Sequence, residues 1–409
     1  GGGIIGFSCA YYLIEEGHEV ILVDKNSFDS GASIVNAGYI IPSHIIPLAS
    51  PEVLRKGIKW MLNSNSPFYI KPRFNKDLIN WGINFIKSSN FRHVNRSISI
   101  IKKINEFSKE LYLELRDSKK IDFKIYEKGL LMAFKTSEAE KEEFKTAKIA
   151  RELEMNVQEL SQKEVNSMQP KIKMNIKGAF WYKSDAHLTP ETFMNNLKSY
   201  LLKKGLKVYK ENLVESFNYN SGIINSIRTK KNEIFGDEFV IAAGAWSENL
   251  LKKLRIKLLI QAGKGYRINL LKNTGISYPA ILLEDKVAVT PMDGFTRFGG
   301  TMEISGLNTK INFKRVNAIA KSSEEYYEGL KISSQNINDA QCGLRPLSPD
   351  GLPFIGRHSS YNNLVLATGH SMMGWSLGPV TGKLVSEIIS GKKESISIDP
   401  FNPERKFGY

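Results

Sequence analysis

Cysteine is scarce in this chain, with two residues, Cys9 and Cys342, among 409. That count excludes a disulfide framework and fits a reducing compartment. Long apolar runs are absent as well. None approaches the roughly 20 residues that a membrane-spanning helix needs, which argues against an integral membrane protein. No internal repeat or low-complexity segment is visible, so the chain is not a repeat array. No nucleic-acid-binding motif appears and the lysines are dispersed, which makes nucleic acid the weakest of the candidate partners. No metal site is expected. What is present is an enzyme-sized chain with 42% apolar residues and a formal net charge of +15. It is long enough for a large core and two lobes. The positive charge points to an anionic partner such as lipid headgroups or an acidic substrate, or else to lysines spread over a solvated surface.

The strongest motif is Gly1-Gly2-Gly3-Ile4-Ile5-Gly6, a GxGxxG fingerprint in the register Gly1, Gly3, Gly6. Gly17-His18, the run Val20-Ile21-Leu22-Val23 and then Asp24 follow it. Glycines, a helix, a strand and an acid roughly 20 residues on together read as a dinucleotide site. Gly1 permits a tight turn and Gly3 a close approach to a pyrophosphate. Gly6 and Ala10 let the helix lie against the sheet. The helix N-terminus offers N–H groups to phosphate. Asp24 can accept from ribose hydroxyls and disfavours a 2′-phosphate, which argues against NADP. The chain opens without an initiator methionine and without the strand expected before Gly1. We read it as lacking a few N-terminal residues, so no targeting signal is judged.

Further along, residues 51–135 read as helical, with Lys56–Leu62 and Asn80–Ile86 rich in apolar and basic residues. Residues 138–155 carry dense mixed charge at helical spacing. Pro190 to Gly205 reads as a helix with Thr189 as N-cap and proline in the first position. Val208-Tyr209 is a short strand, and Phe239–Ser247 is a buried strand entering a turn and helix. Residues 258–304 alternate as strands, and Leu364–Thr368 is a last strand. A terminal helix runs from about Gly382 to Ser390 and ends at Gly391.

Taken together, the fingerprint, Asn36-Ala37-Gly38, Phe239–Trp246, Gly343–Gly356 and Thr368–Trp375 resemble the FAD-dependent D-amino-acid oxidase superfamily. Ser33–Pro42, Ile58–Met61 and Ser66–Arg73 make the chain most similar to its bacterial D-amino-acid dehydrogenases. The resemblance covers nearly the whole chain. It implies an α/β fold in which a Rossmann-like FAD-binding domain of the glutathione-reductase type is interleaved with an α+β substrate domain on a mostly antiparallel sheet. We place 1–50, 138–250 and 335–409 in the FAD-binding domain, and 51–137 and 251–334 in the substrate domain.

The resemblance also implies site roles. FAD would lie on the first helix, held by Gly1, Gly3, Ile4, Ile5 and Gly6 with Asp24 and Lys25. Ser33, Asn36, Ala37 and Gly38 match a loop reaching under the flavin. Val214, Ala243, Gly244 and Trp246 match a second approach, with Trp246 more a packing residue than a chemical one. Gly343, Gly369, His370, Met373 and Gly374 match segments beside the flavin ring. Arg345 would clamp the substrate carboxylate, as a planar guanidinium can do bidentately. His370 is the other catalytic candidate, more as a flavin neighbour than as a proton carrier. Met302 and Met372 would line the substrate pocket. A second pocket arginine of the related glycine oxidases corresponds to Met372, and their pocket tyrosine falls near Ala288. The pocket is therefore expected to be more apolar and to suit a larger or cyclic substrate. Cys342 corresponds to a flavin-linking cysteine of related sarcosine oxidases, although core packing is the favoured reading.

The expected reaction is oxidative deamination of a D-amino acid, D-proline or a hydroxy-D-proline among the candidates, with electrons passed to a quinone or other acceptor. The alternatives are a glycine- or sarcosine-type oxidase using oxygen, and a flavoprotein subunit of a heteromeric dehydrogenase. An NAD(H) reductase is disfavoured by the single fingerprint. The expected location is cytoplasmic, with peripheral contact at the inner face of the membrane in which Trp60 and Trp81 sit at headgroup level.

Overall fold

A computed structural model of the chain describes residues 1–61 and 66–408, without the side chains of 58–61. Leu62 and the side chain of Trp60 therefore lie outside the described residues. Two sheet systems and the helices between them organise the rest.

The first system carries the fingerprint. The helix Ile4–Glu15 starts at Gly3 and leads through Gly17 (φ +91°) into the strand Ile21–Val23. That strand pairs in parallel with Lys207–Tyr209. Phe239–Ile241 pairs in parallel with Tyr361–Thr368, whose other edge takes Phe354–His358 antiparallel. Val214–Asn220, Ile223–Thr229 and Glu233–Phe235 form a separate antiparallel meander. The helix Gly378–Ile389 crosses Ile4–Glu15 so closely that a Cβ on Gly382 would lie 2.4 Å from the backbone of Ser8. It begins four residues before the position expected from the sequence. The helix Pro190–Lys203 also packs on the first helix, through Phe193, Met194, Leu197 and Leu201. Thr189 does precede this helix, yet its hydroxyl accepts from Asp293 N (2.9 Å) rather than capping it.

The second system is a nine-stranded, mostly antiparallel sheet. Its order is Gln341–Leu347, Gln261–Leu270, Phe295–Ile304, Val287–Met292, Ala280–Leu282, Leu130–Phe134, Gly178–Tyr182 and Val157–Ser161, with Phe68–Ile70 paired beside Met302–Ile304. One face buries a core under the helix Phe313–Tyr326, where Val316, Ile319 and Tyr326 meet Ile268, Val289 and Phe298.

The fold class is the expected one, and the strand pairing joins segments that the sequence reading places in different domains. Val157–Ser161 and Gly178–Tyr182, expected in the FAD-binding part, hydrogen-bond into the large sheet beside Leu130–Phe134. Gln341–Leu347 is also an edge strand of that sheet. Conversely, the 27-residue helix Phe91–Asp117, expected in the substrate part, packs against the last helix. Its apolar stripe Val94, Ile98, Ile101, Ile104, Leu111 and Leu115 follows helical spacing, and Tyr112 Oη donates to Trp375 O at 2.7 Å. Trp81 is corrected as well. It is 3% exposed, stacks on Phe85 and donates from Nε1 to Leu347 O at 2.9 Å, so it does not stand at a membrane surface.

Candidate functional site

One continuous cavity runs from the first helix to the inner face of the large sheet. At its nucleotide end, the first turn of Ile4–Glu15 holds no acidic residue, and Gly3 provides no side-chain cap. Ile4 N donates to Ser33 Oγ (2.8 Å), tying the next loop to the helix start. A Cβ on Gly6 would fall 1.8 Å from Gly1 O, and one on Gly1 would fall 2.7 Å from Ala242 O. Gly1 and Gly6 thus keep backbone segments within touching distance, while a Cβ on Gly3 would meet only Ser33 Oγ at 3.1 Å. Asp24 accepts from Gly2 N (2.6 Å) and Asn26 N (2.7 Å) through different oxygens. Each oxygen retains a lone pair for a ribose hydroxyl. Lys25 lies 3.5 Å above the Trp246 ring, and burial lowers its pKa. Ile4, Ile5, Val214, Ala243, Gly244 and Trp246 all line this end. An uncapped helix start without acids, glycines that a Cβ would fill, and an acceptor at the next strand end together fit a dinucleotide such as FAD.

The loop at 31–38 crosses the middle of the cavity. Ser33, Asn36 and Ala37 line it, but the Asn36 side chain is engaged locally. It donates to Ser33 O (2.8 Å) and accepts from Gly38 N (2.7 Å), so it shapes the loop instead of reaching out. Gly38 (φ +72°) does not line the cavity; a Cβ there would meet Leu188 O at 2.2 Å. Arg297, not singled out from the sequence, anchors this loop to the large sheet. Its fully buried guanidinium donates to Ile34 O (2.9 Å) and Asn36 O (2.7 Å) and pairs with Glu191.

Where the cavity reaches the large sheet stands Arg345, on the strand Gln341–Leu347. It lines the cavity, and its Nη1 donates to Thr301 O at 3.0 Å. Among the described residues no carboxylate pairs with it, and burial lowers its pKa to about 10. A partly buried guanidinium that faces the cavity without a carboxylate partner calls for an anion. The strand opposite it makes room, since Gly265 has no side chain where the guanidinium lies. Thr301 (φ +71°) sits in an irregularity between the pairs Lys264–Glu303 and Tyr266–Gly300, which aims its carbonyl at Arg345. Met302 follows, lines the cavity and places Sδ 4.0 Å from Arg345 Nη1.

The loop after Tyr361–Thr368 meets the same strand through Ser371 N to Pro346 O, 2.9 Å. His370 lines the cavity, and its Nε2 is 2.9 Å from Thr381 Oγ1. That hydroxyl gives its proton to Leu377 O (2.7 Å). The ring therefore donates from Nε2 and keeps its lone pair at Nδ1. Burial lowers its pKa to about 3, so the neutral imidazole is not an acid at working pH. Met372 and Gly374 also line the cavity, as does Gly343. Gly369 and Met373 do not. Gly369 (φ +74°) serves the turn, and Met373 is buried among Ile101, Ala367 and Leu377, away from the cavity to which the sequence assigned it. Cys342 is likewise off the cavity wall. It lies against the core beneath the sheet, and its thiol donates to Thr309 O (3.3 Å). Burial raises its pKa, which opposes thiolate chemistry.

Beyond Arg345 the cavity floor is a single cross-strand row, Gly299, Ala288, Ile281 and Met132, each paired in register with the next. Small residues stand near Arg345 and larger apolar ones further out. His44, Glu143 and Lys286 close the far end, with Tyr182 Oη donating to Glu143 at 2.6 Å. The glycines at 263, 265, 299 and 300 within strands were the available sequence signal for this surface, because glycine inside a strand marks a close approach.

The sequence profile of the FAD dependent oxidoreductase family, DAO, matches residues 1–388. A D-amino acid dehydrogenase of Helicobacter pylori is 29% identical over 394 residues, covering 95% of this chain and 93% of that protein. A D-amino acid dehydrogenase of Neisseria meningitidis serogroup C is 29% identical over 414 residues, covering 99% and 98%. Among solved structures, glycine oxidase from Geobacillus kaustophilus superposes with a TM-score of 0.75 at 21% identity, covering 100% of this chain and 98% of that one. L-Proline dehydrogenase from P. horikoshii gives 0.72 at 18%, covering 99% and 96%. Both solved structures share the fold.

Proposed function

The chain belongs to the family of FAD-dependent oxidoreductases, and from that premise we propose that it is a D-amino-acid dehydrogenase. The observation that carries this reading is Arg345, a guanidinium without a carboxylate partner among the described residues, in the cavity wall. The name shared by the Helicobacter and Neisseria relatives supports the D-configuration.

Bound FAD supplies a two-electron acceptor for the hydride that leaves the substrate Cα. The chain's own residues do the positioning. Arg345 takes the α-carboxylate in a bidentate grip, and the Thr301 carbonyl fixes the guanidinium plane. Met302 packs beside the clamp and limits its movement. The substrate side chain extends along Gly299 and Ala288 toward Ile281 and Met132. That row suits a large or cyclic apolar side chain such as that of D-proline or a hydroxy-D-proline. The substrate ammonium first loses a proton to water, and the lone pair so freed forms the C=N bond as the Cα hydride departs. The imine formed is hydrolysed to a 2-oxo acid and ammonium, or stays cyclic when the substrate is an imino acid. Positioning carries the rate, and no side chain is assigned as general base. The electrons pass on to a quinone or another acceptor.

The test is anaerobic bleaching of the flavin absorbance by single amino acids. The panel is D-alanine, D-phenylalanine, D-proline, cis-4-hydroxy-D-proline, glycine, sarcosine and the L-isomers. Bleaching by D-isomers, fastest for the larger or cyclic ones, is the expected result. Bleaching by glycine or sarcosine alone would replace the reading with an amine oxidase.

A further inference from the structure

Among the described residues no helix is long and apolar enough to cross a membrane. The helix Lys76–Ser88 is nevertheless apolar on two opposite faces. Its inner face carries Leu78, Trp81 and Phe85, which pack with Met302 and Leu347. Its outer face carries Ile79, Ile83 and Ile86 at the spacing i, i+4, i+7, exposed by 48%, 47% and 58%. Phe74 precedes the helix and Phe91 follows it, both strongly exposed. A surface helix ordinarily presents polar residues outward, so among the described residues this stripe lacks its cover.

The charges from 71 to 96 are cationic but for one. Lys71, Lys76, Lys87, Arg92 and Arg96 are exposed, and Arg73 is half-buried. The one acid between 71 and 96 is Asp77, which is neutralised by Lys252 at 2.7 Å. An apolar stripe between cations complements acyl chains flanked by acidic headgroups, and it repels a basic protein or a second copy of the same face.

We propose that the outer face of Lys76–Ser88, with Phe74 and Phe91 at its ends, docks this protein on an anionic bilayer surface. The helix would lie in the interfacial plane with its isoleucines among the first acyl carbons. Its inner face packs on Met302, so the substrate chamber would sit behind the lipid by about one helix diameter, on the order of 10 Å. An acceptor dissolved in the membrane would then approach from the helix side. This purpose rests on the dehydrogenase reading above; the docking itself does not.

The experiment is co-sedimentation of the flavin-loaded protein with vesicles, without substrate. One set of vesicles contains phosphatidylglycerol in phosphatidylcholine and the other phosphatidylcholine alone. The expected result is sedimentation with the anionic vesicles, weakened by high salt, and little with neutral ones. Ile79→Asn/Ile83→Asn/Ile86→Asn should lower binding at least tenfold while retaining flavin and dye-linked turnover in solution. Lys76→Ser/Lys87→Ser/Arg92→Ser should reduce the preference for anionic vesicles and leave turnover unchanged. Wild-type protein left in the supernatant, or isoleucine variants that bind like wild type, would overturn the proposal. So would a wild-type dimer that the isoleucine variants dissociate, since a second copy would then be the cover. Because binding is read without turnover, its failure leaves the assigned reaction standing. Failure of the bleaching test leaves the docking standing.

Discussion

Gly265 and Arg345 use the same space: a Cβ on residue 265 would stand 2.5 Å from Arg345 Nη1. The two strands run antiparallel, and Gly265 pairs in register with Gly343, whose own bare position admits Ala32 and Val35. Gly265→Ala should therefore displace the clamp without touching it chemically. KM for the amino acid should rise roughly 10- to 100-fold, with flavin content unchanged. Arg345→Ala should cost more, lowering kcat/KM by roughly 10²–10⁴, because a charged orienting pair is lost. Arg345→Lys should restore only part of this, since an ammonium cannot fork. Steady-state kinetics and flavin absorbance check all three.

The fingerprint predicts a different failure. Gly6→Ala would force a methyl group into Gly1 O, 1.8 Å away. The expected product is folded but colourless protein, with FAD affinity reduced roughly 100-fold or about 3 kcal/mol. Circular dichroism and fluorescence titration with FAD would separate this from unfolding.

Ala288 decides chamber length. Ala288→Phe should block the row toward Ile281 and Met132. D-alanine should retain its kcat/KM, and bulky D-amino acids should lose roughly 10- to 100-fold. Equal loss for both would place the substrate side chain elsewhere.

Asp185 supplies a pH signature. It is fully buried, accepts from Ser43 N (3.0 Å) and Ser43 Oγ (2.5 Å), and desolvation raises its pKa to about 7. The unfolded carboxyl titrates near its ordinary value of 3.8. Between those two values the native state holds more protons than the unfolded state. Stability from this group is therefore present below about pH 4 and falls as pH rises toward about 7. Asp185→Asn should remove a loss of a few kcal/mol across that window. Denaturant titrations at pH 5 and 8 should show a smaller difference in the variant than in wild type.

Much of this architecture is legible in the sequence where local rules act. The first helix, Pro190–Lys203, Phe239–Ile241 and the last strand are set by glycine spacing, a proline at a helix start and β-branched runs. The nucleotide-end residues follow from the same fingerprint. Long-range pairing is a different matter. Nothing local in Val157–Ser161 states that it joins Gly178–Tyr182 in the sheet that also carries Arg345, so that pairing is not legible in the sequence. Arg297 escaped notice because an isolated arginine in a strand carries no sequence pattern; only folding brings it to Ile34 O and Asn36 O. Met373 misled for a related reason. It lies two residues from cavity-lining Ser371, yet the turn carries its side chain into the core. Trp81 looked like an interface residue by type, while the exposed face of its helix is made by isoleucines three and four positions apart.

The crossing of Ile4–Glu15 by Gly378–Ile389, and the pairing of Phe239–Ile241 with Tyr361–Thr368, have a consequence for how the protein is made. The segment that begins the flavin cradle leaves the ribosome well before its packing partners at 361–389. Until residues beyond 360 have emerged, the first helix lacks the surface that buries Ile4 and Cys9. The cradle therefore closes only when residues 361–389 are free of the ribosome, and the fingerprint emerges well before there is a site that can retain FAD.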